Sequence, residues 1–208
     1  MPSYKLYYFP IKVRAEPARF VFAAAGVKYE DIRISFDDWP SHKQKMPFRQ
    51  MPVLEVDGKQ LSQSYAIVRY LANEFGLGGK DKWEAAEADQ YTGAVEDLLG
   101  PVIRFYFESD EKRKAEGLKK FKEENAPAIL PDLETALGKN SSGFLVGSGL
   151  TYADLCLLTL LEVMDGMLSK EDVSAVLSSY PNVQKHRQKI ESLPKIAEWI
   201  KARPATDY

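Results

Sequence analysis

The chain has 208 residues, of which 45% are hydrophobic and 28% charged, the composition of an ordinary globular protein rather than a disordered one. Its 28 basic and 30 acidic side chains give a formal charge of -2, so no basic field is available to hold a nucleic acid backbone. The densest apolar run, residues 155–161, is too short to span a membrane whose hydrocarbon core is about 30 Å thick.

The start of the chain and its cysteine content favour a cytoplasmic protein. Residues 1–10 contain neither an uninterrupted apolar core nor a small-residue cleavage site, so they do not resemble a secretory signal. Cys156 is the single cysteine and permits no internal disulfide, which suggests a reducing compartment. Its neighbours Leu155, Leu157 and Leu158 favour a small buried side chain over a reactive thiol.

The first part of the chain predicts strands that alternate with helices. Residues 4–9 are typical of a strand, and Glu16–Ala25 is typical of a helix. Pro17 suits the first turn of that helix and Gly26 suits the left-handed position just past its end. Residues 29–34 predict a second strand, which a loop follows.

A hairpin and a helix complete this part, and together they are typical of a cradle for a small ligand. Val53–Val56 is a short β-prone run, and the Asp57-Gly58 pair supplies the positive-φ turn before residues 59–61 return. Pro52, just before the hairpin, cannot donate a ladder hydrogen bond. The polar residues 62–64 precede an apolar helical pattern, and the start of a helix attracts anions. The alternative is an ordinary hairpin followed by a helix.

Helical patterns take over after the glycine- and charge-rich residues 76–82, which make the best linker in the chain. The sequence therefore predicts an α/β domain over residues 1–77, a linker over 78–82 and an all-α domain over 83–208. The predicted helices of the second domain cover residues 83–106, 110–137, 151–168 and 183–200.

The clearest helix start lies at Thr151. Its hydroxyl can cap the amide of Asp154, and the Asp154 carboxylate can reach back to the Thr151 amide. Leu150 and Leu155 can close a hydrophobic staple around this capping box. The box predicts a stabilised, buried helix, and loss of the Thr151 cap is expected to cost about 1 kcal/mol.

A set of features spread along the chain points to a known family: Tyr8-Phe9, Arg14, Trp39, Lys43, Met51-Pro52, Gln63-Ser64 and the capping box from Thr151 to Asp154. Together they resemble the cytosolic glutathione transferases, and most closely their sigma class. The likeness covers essentially the whole chain at nearly constant spacing. It implies a thioredoxin-like first domain that holds glutathione, a helical second domain that shapes an electrophile pocket, a homodimer, and a cis bond before Pro52.

Tyr8 is the candidate catalytic residue. A free thiol with a pKa of about 8.5 is only a few per cent ionised at neutral pH, so a transferase must stabilise the thiolate. Tyr8 lies at the carboxyl end of the first predicted strand and offers a phenolic proton to the sulfur, while Arg14 adds positive potential. The alternative is a packed strand aromatic, like Tyr4 and Tyr7 in the same strand.

The resemblance also implies how glutathione is held as co-substrate. The tripeptide would lie along the Met51 backbone beside Pro52, with its γ-glutamyl carboxylate at Ser64 and its amino group near Gln63. Asp97 of the partner subunit would complete the ammonium pocket. The glycyl end would meet Trp39 and Lys43. Gln50, which Arg49 precedes, would also contact the tripeptide.

By the same resemblance, an electrophile pocket would lie between the domains. An arginine at its rim, Arg104, stands where related prostaglandin isomerases carry a tryptophan, and it would favour anionic substrates. The expected pocket residues are Phe9, Ile11, Val13, Leu99, Arg104, Tyr106, Tyr152 and Cys156.

Three functions compete. The first is conjugation of glutathione to hydrophobic electrophiles, with glutathione-dependent prostaglandin isomerisation as a variant. The second is carriage of haem or other bulky anions, and the third is a structural role like that of lens crystallins. Metal chemistry is not expected, because His42 and His186 are isolated in the sequence.

Overall fold

The computed structural model describes residues 2–206 and Tyr208. Its first part is built on a four-stranded sheet with the order β2-β1-β3-β4. The central strand β1 runs parallel to β2 and antiparallel to β3, and β4 returns beside β3 as the predicted hairpin. The strands are β1 (Tyr4–Tyr8), β2 (Glu30–Arg33), β3 (Val53–Val56) and β4 (Lys59–Ser62).

Three helices accompany the sheet: α1 (Glu16–Ala25), α2 (Trp39–Lys43) and α3 (Ser64–Glu74). Gly26 ends α1 with a φ of 69°, as its sequence position predicts. The short helix α2 replaces the predicted loop. The mixed sheet and its helices confirm the thioredoxin-like α/β prediction.

The remaining helices form an all-α unit, as predicted. Its centre is α7, in which every residue from Tyr152 to Met164 is buried, and α7 packs against both α4 and α1. Among the described residues, no helix combines the length and apolar character that crossing a bilayer requires. The helices are α4 (Lys82–Tyr106), α5 (Glu111–Lys120), α6 (Ala126–Lys139), α7 (Tyr152–Met167), α8 (Lys170–Leu177), α9 (Pro181–Glu191) and α10 (Pro194–Ala202).

Two predicted helices are interrupted. The pattern over residues 110–137 forms α5 and α6 with a π-helical segment, Phe121–Asn125, between them. The Phe121 side chain is fully buried and lies 6.0 Å from the ring of Phe105 on α4. The pattern over 183–200 breaks at Pro194, because proline lacks an N–H and favours extended backbone in the preceding residue.

The prediction missed α8. Its start carries a cap that the sequence shows, since the Ser169 hydroxyl accepts a hydrogen bond from the amide of Asp172 at 3.1 Å. A serine followed three residues later by an acid is the same start signal as at Thr151.

The π segment brings α5 close to α4 at Gly117, where a methyl group would meet the Phe105 Cβ at 2.5 Å. We expect Gly117→Ala to destabilise the fold by about 1–2 kcal/mol, because overpacking outweighs the gain of about 1 kcal/mol in helix propensity. Urea unfolding measures the change. Glu116→Ala, an exposed neighbour in the same helix, should shift stability by less than about 0.5 kcal/mol. A more stable Gly117→Ala variant would contradict the close approach.

Candidate active site

A cavity of about 500 Å³ lies where the loop after β1, the helix α2, the residues before β3 and the start of α3 meet. It brings together every residue that the resemblance assigned to glutathione except Tyr8 and Asp97. The structure adds Phe9 from the predicted electrophile pocket, and two residues that the predicted site did not include, Arg49 and Glu96. The lining consists of Phe9, Arg14, Trp39, Lys43, Arg49, Gln50, Met51, Pro52, Gln63, Ser64 and Glu96.

The wall next to β3 is formed by Met51 and Pro52. Their peptide bond is cis, which confirms the expectation drawn from the resemblance. Pro52 is buried and Met51 is half-buried, and both line the cavity just before the strand begins. The Met51 backbone is therefore available at the cavity wall to an extended ligand.

The start of α3 contributes unpaired backbone donors. The first hydrogen bond of this turn joins the amide of Ile67 to the carbonyl of Gln63, so the amides of residues 64–66 have no partner within the helix. Gln63 is the residue between β4 and α3, so this turn follows the hairpin directly, and its φ is 73°. Amides at a helix start attract negative charge, and the Ser64 hydroxyl lies at the same place.

Tyr8 ends β1 and is 4% exposed. Its ring lies 5.5 Å from that of Phe9, which lines the cavity. Burial raises the pKa of Tyr8 to about 12, although the Arg14 amide and the charges of Arg14 and Arg19 oppose this shift. The phenol therefore keeps its proton at neutral pH and can donate a hydrogen bond, but cannot act as a base.

Arg14 takes part in a polar cluster that sequence reasoning missed. Its guanidinium donates two hydrogen bonds to the carboxylate of Glu96 on α4, at 2.7 and 3.1 Å. The Tyr65 hydroxyl donates to the same carboxylate at 2.9 Å. Although burial opposes the charge, these bonds to Glu96 raise the pKa of Arg14. No local motif signals a pair that is 82 residues apart.

Seven of the eight predicted electrophile residues belong to the shared core or pack against it, and Arg104 is exposed. Ile11, Val13, Leu99 and Cys156 are buried in the shared core. Tyr106 is half-buried at the end of α4, and its ring lies 5.2 Å from the ring of Tyr208. The carbonyl of Tyr208 accepts a hydrogen bond from the Lys12 amide at 2.9 Å, which joins this aromatic group to the loop after β1.

Tyr152 lies in the same buried core as Ile11, Val13, Leu99 and Cys156, whereas Arg104 lies on the surface. Tyr152 is the first residue of α7, and its hydroxyl donates to Asp89, which pairs with Arg69 on α3. Arg104 is exposed and lines a groove between α4 and α6 with Asp97 and Glu124. Asp97 itself is exposed on α4 and lies outside the cavity.

The Cys156 thiol is 1% exposed, and burial raises its pKa to about 12. At pH 8 about one thiol in ten thousand would be ionised, against about a quarter for an ordinary cysteine with a pKa near 8.5. We therefore expect iodoacetamide to label the folded protein at least about a hundredfold more slowly than the urea-unfolded chain. Equal rates would show that Cys156 is accessible and ionised.

His186 is buried and bonds to Asp154 at 2.8 Å. Within residues 2–206 and Tyr208, no group of three or more His, Cys, Asp or Glu side chains is placed to hold a metal ion.

Comparisons with known proteins find relatives that match the whole length of the chain. A family model described as the glutathione S-transferase N-terminal domain matches residues 2–73, and one described as the C-terminal domain matches residues 96–203. Glutathione S-transferase 1 of Ascaris suum is 41% identical to this chain, with 100% of each covered. The hematopoietic prostaglandin D synthase of Gallus gallus is 39% identical, with 99% of each covered. The crystal structure of the Ascaris lumbricoides glutathione S-transferase is similar with a TM-score of 0.87 and 39% identity, covering 100% of both chains.

Proposed function

This chain belongs to the glutathione S-transferase family, and we propose that it conjugates reduced glutathione to hydrophobic electrophiles through a thiolate held by Tyr8. The single observation that carries this role is the place of the Tyr8 phenol, which is buried at the end of β1 with its ring 5.5 Å from that of Phe9, a residue that lines a cavity rich in polar groups. The glutathione thiol loses its proton to water, and the phenol donates a hydrogen bond to the resulting thiolate. The sulfur then forms a bond to the electrophilic carbon and the leaving group departs, as chloride does from a chlorodinitrobenzene.

The energetics of that hydrogen bond are sufficient. Lowering the thiol pKa by two units requires about 2.7 kcal/mol of preferential stabilisation of the anion. One hydrogen bond to a charged group contributes roughly 1.5–3 kcal/mol. Arg14 adds positive potential, but its ion pair with Glu96 leaves Tyr8 as the principal donor. Positioning of the electrophile supplies the rest of the acceleration.

The cavity accommodates the tripeptide in one direction. The γ-glutamyl carboxylate would bind the free amides at the start of α3 and the Ser64 hydroxyl, with the amino group near Gln63. The Met51 backbone would pair with the cysteinyl residue. Trp39, Lys43 and Gln50 also line the cavity, and the Lys43 ammonium suits the glycyl carboxylate.

The working unit would be a cytoplasmic homodimer in which Asp97 of the partner subunit completes the ammonium site. Two exposed features support it. Asp97 lies outside the cavity of its own chain, and Phe48, beside the cavity, is 77% exposed. Sedimentation velocity tests the dimer, and a monomer at micromolar concentration would overturn it.

The function is tested by retention on immobilised glutathione and by conjugation of a chlorodinitrobenzene electrophile. We expect retention, elution by free glutathione, and saturable conjugation. A protein that flows through unbound and leaves the electrophile unreacted is not this transferase. Conversion of prostaglandin H, measured in a parallel assay, would extend the activity to isomerisation. Arg104 gives no support for isomerisation, because it lines a different groove from Phe9.

A further inference from the structure

The cavity holds more positive charge than its acids balance. Arg14 is neutralised by Glu96, the one carboxylate in the lining. Lys43 and Arg49 are both exposed and line the same cavity. Neither side chain makes an ion pair or a hydrogen bond within the described part of the chain. In the proposed arrangement, the single glycyl carboxylate of glutathione binds Lys43. Arg49 then remains without a counter-charge.

The loop fixes where these two cations lie. The amide of Met46 bonds to the Lys43 carbonyl at 3.3 Å, and the amide of Arg49 bonds to the Met46 carbonyl at 3.0 Å. Met46 is buried in a small core with Ile34 and Val53. The backbones of Lys43 and Arg49 are therefore both bonded to the same buried anchor, and both side chains line the cavity.

The backbone at Arg49 is unusual for a residue with a side chain. Its φ is 55°, and the preceding Phe48 has a φ of 51°. This left-handed conformation costs roughly 1–2 kcal/mol for a non-glycine residue, and glycine would adopt it freely. Strain of this kind clusters at ligand clamps, where a side chain is needed in place.

We propose that Arg49 binds a second carboxylate on the last residue of the tripeptide, so that the site prefers γ-glutamylcysteinyl peptides ending in an acidic residue. Lys43 holds the terminal carboxylate, and the planar Arg49 guanidinium holds the side-chain carboxylate in a two-bond arrangement. A negatively charged electrophile is the alternative ligand for Arg49. It would bind next to the glutathione sulfur, whereas the Arg49 backbone is bonded to the same anchor as that of Lys43, which holds the terminal carboxylate. This preference rests on the proposed function and names its substrate class.

Two peptides of equal shape isolate the charge: γ-glutamylcysteinylglutamate and γ-glutamylcysteinylglutamine. We measure their Kd values, and that of glutathione, by quenching of tryptophan fluorescence at low ionic strength. The wild type should bind the glutamate peptide about fivefold more tightly than the glutamine peptide, a difference in the upper range for a partly exposed ion pair. Salt should reduce the ratio.

Arg49→Asn, whose side chain tolerates the left-handed conformation, should bring the ratio to about one, and Arg49→Lys should keep part of it. Lys45→Gln, which removes an exposed cation of the same loop outside the cavity, should leave the ratio unchanged.

A wild type that binds glutathione but binds both peptides with equal affinity overturns the preference and leaves the transferase function standing. A preference that persists in Arg49→Asn also overturns it. A wild type that binds no glutathione overturns the proposed function instead.

Discussion

Replacing Tyr8 by phenylalanine is expected to lower kcat/KM for conjugation at least tenfold at pH 6.5. The variant loses one hydrogen bond to a charged sulfur, which is worth roughly 1.5–3 kcal/mol, or about 10–150-fold in rate. The less stabilised thiolate is more basic and therefore more nucleophilic, which offsets part of that loss and places the result near the lower end. Steady-state kinetics with saturating electrophile measure the change.

The pH profile distinguishes thiolate stabilisation from a general loss of packing. Without the phenol, the pKa of the bound thiol should rise by about two units, so the variant gains activity as the pH rises from 6.5 to 9 and the gap to the wild type narrows. Tyr7→Phe is the matched control, because Tyr7 lies in the same strand and its hydroxyl donates to Glu55 at 3.3 Å. An equal loss at every pH, or an equal loss in Tyr7→Phe, would remove Tyr8 from thiolate stabilisation.

The sequence predicted the architecture of this molecule better than its helix boundaries. Local signals were sufficient at Gly26 and in the hairpin at Asp57-Gly58, where backbone conformation depends on one or two residues. Local signals did not predict the π-helical segment that begins at Phe121. The helix changes register there as the Phe121 ring packs against Phe105. Tertiary packing decides such positions, and a single sequence does not show it.

Most of the cavity lining was expected from the family resemblance, both for scattered residues such as Arg14 and Trp39 and for those clustered in sequence. Met51, Pro52, Gln63 and Ser64 lie in one hairpin and helix start, and the cavity contains all four. Glu96 was missed because its contact with Arg14 joins two domains. The electrophile residues depend on side-chain direction across the domain boundary, and of these residues Arg104 lines a separate groove between α4 and α6.

Replacing Asp154 by alanine is expected to destabilise the protein by about 3–5 kcal/mol, the range for breaking a buried charged network. The fully buried carboxylate accepts hydrogen bonds at 2.8 Å from the amides of Leu145 and Thr151, and at 3.0 Å from the Thr151 hydroxyl. It also bonds to the buried His186 at 2.8 Å. Removing it leaves several buried donors without a partner, each costing roughly 1–3 kcal/mol.

Asp172→Ala tests whether burial is the cause. Asp172 occupies the same position in the cap of α8, where it bonds to Ser169 at 2.8 Å and to Lys122, but its side chain is 20% exposed. Water can satisfy the donors that it leaves, so we expect a loss of about 1 kcal/mol. Urea unfolding of both variants gives the comparison. Equal losses would mean that the Asp154 network contributes only an ordinary helix cap, and that α7 is held by its apolar packing instead.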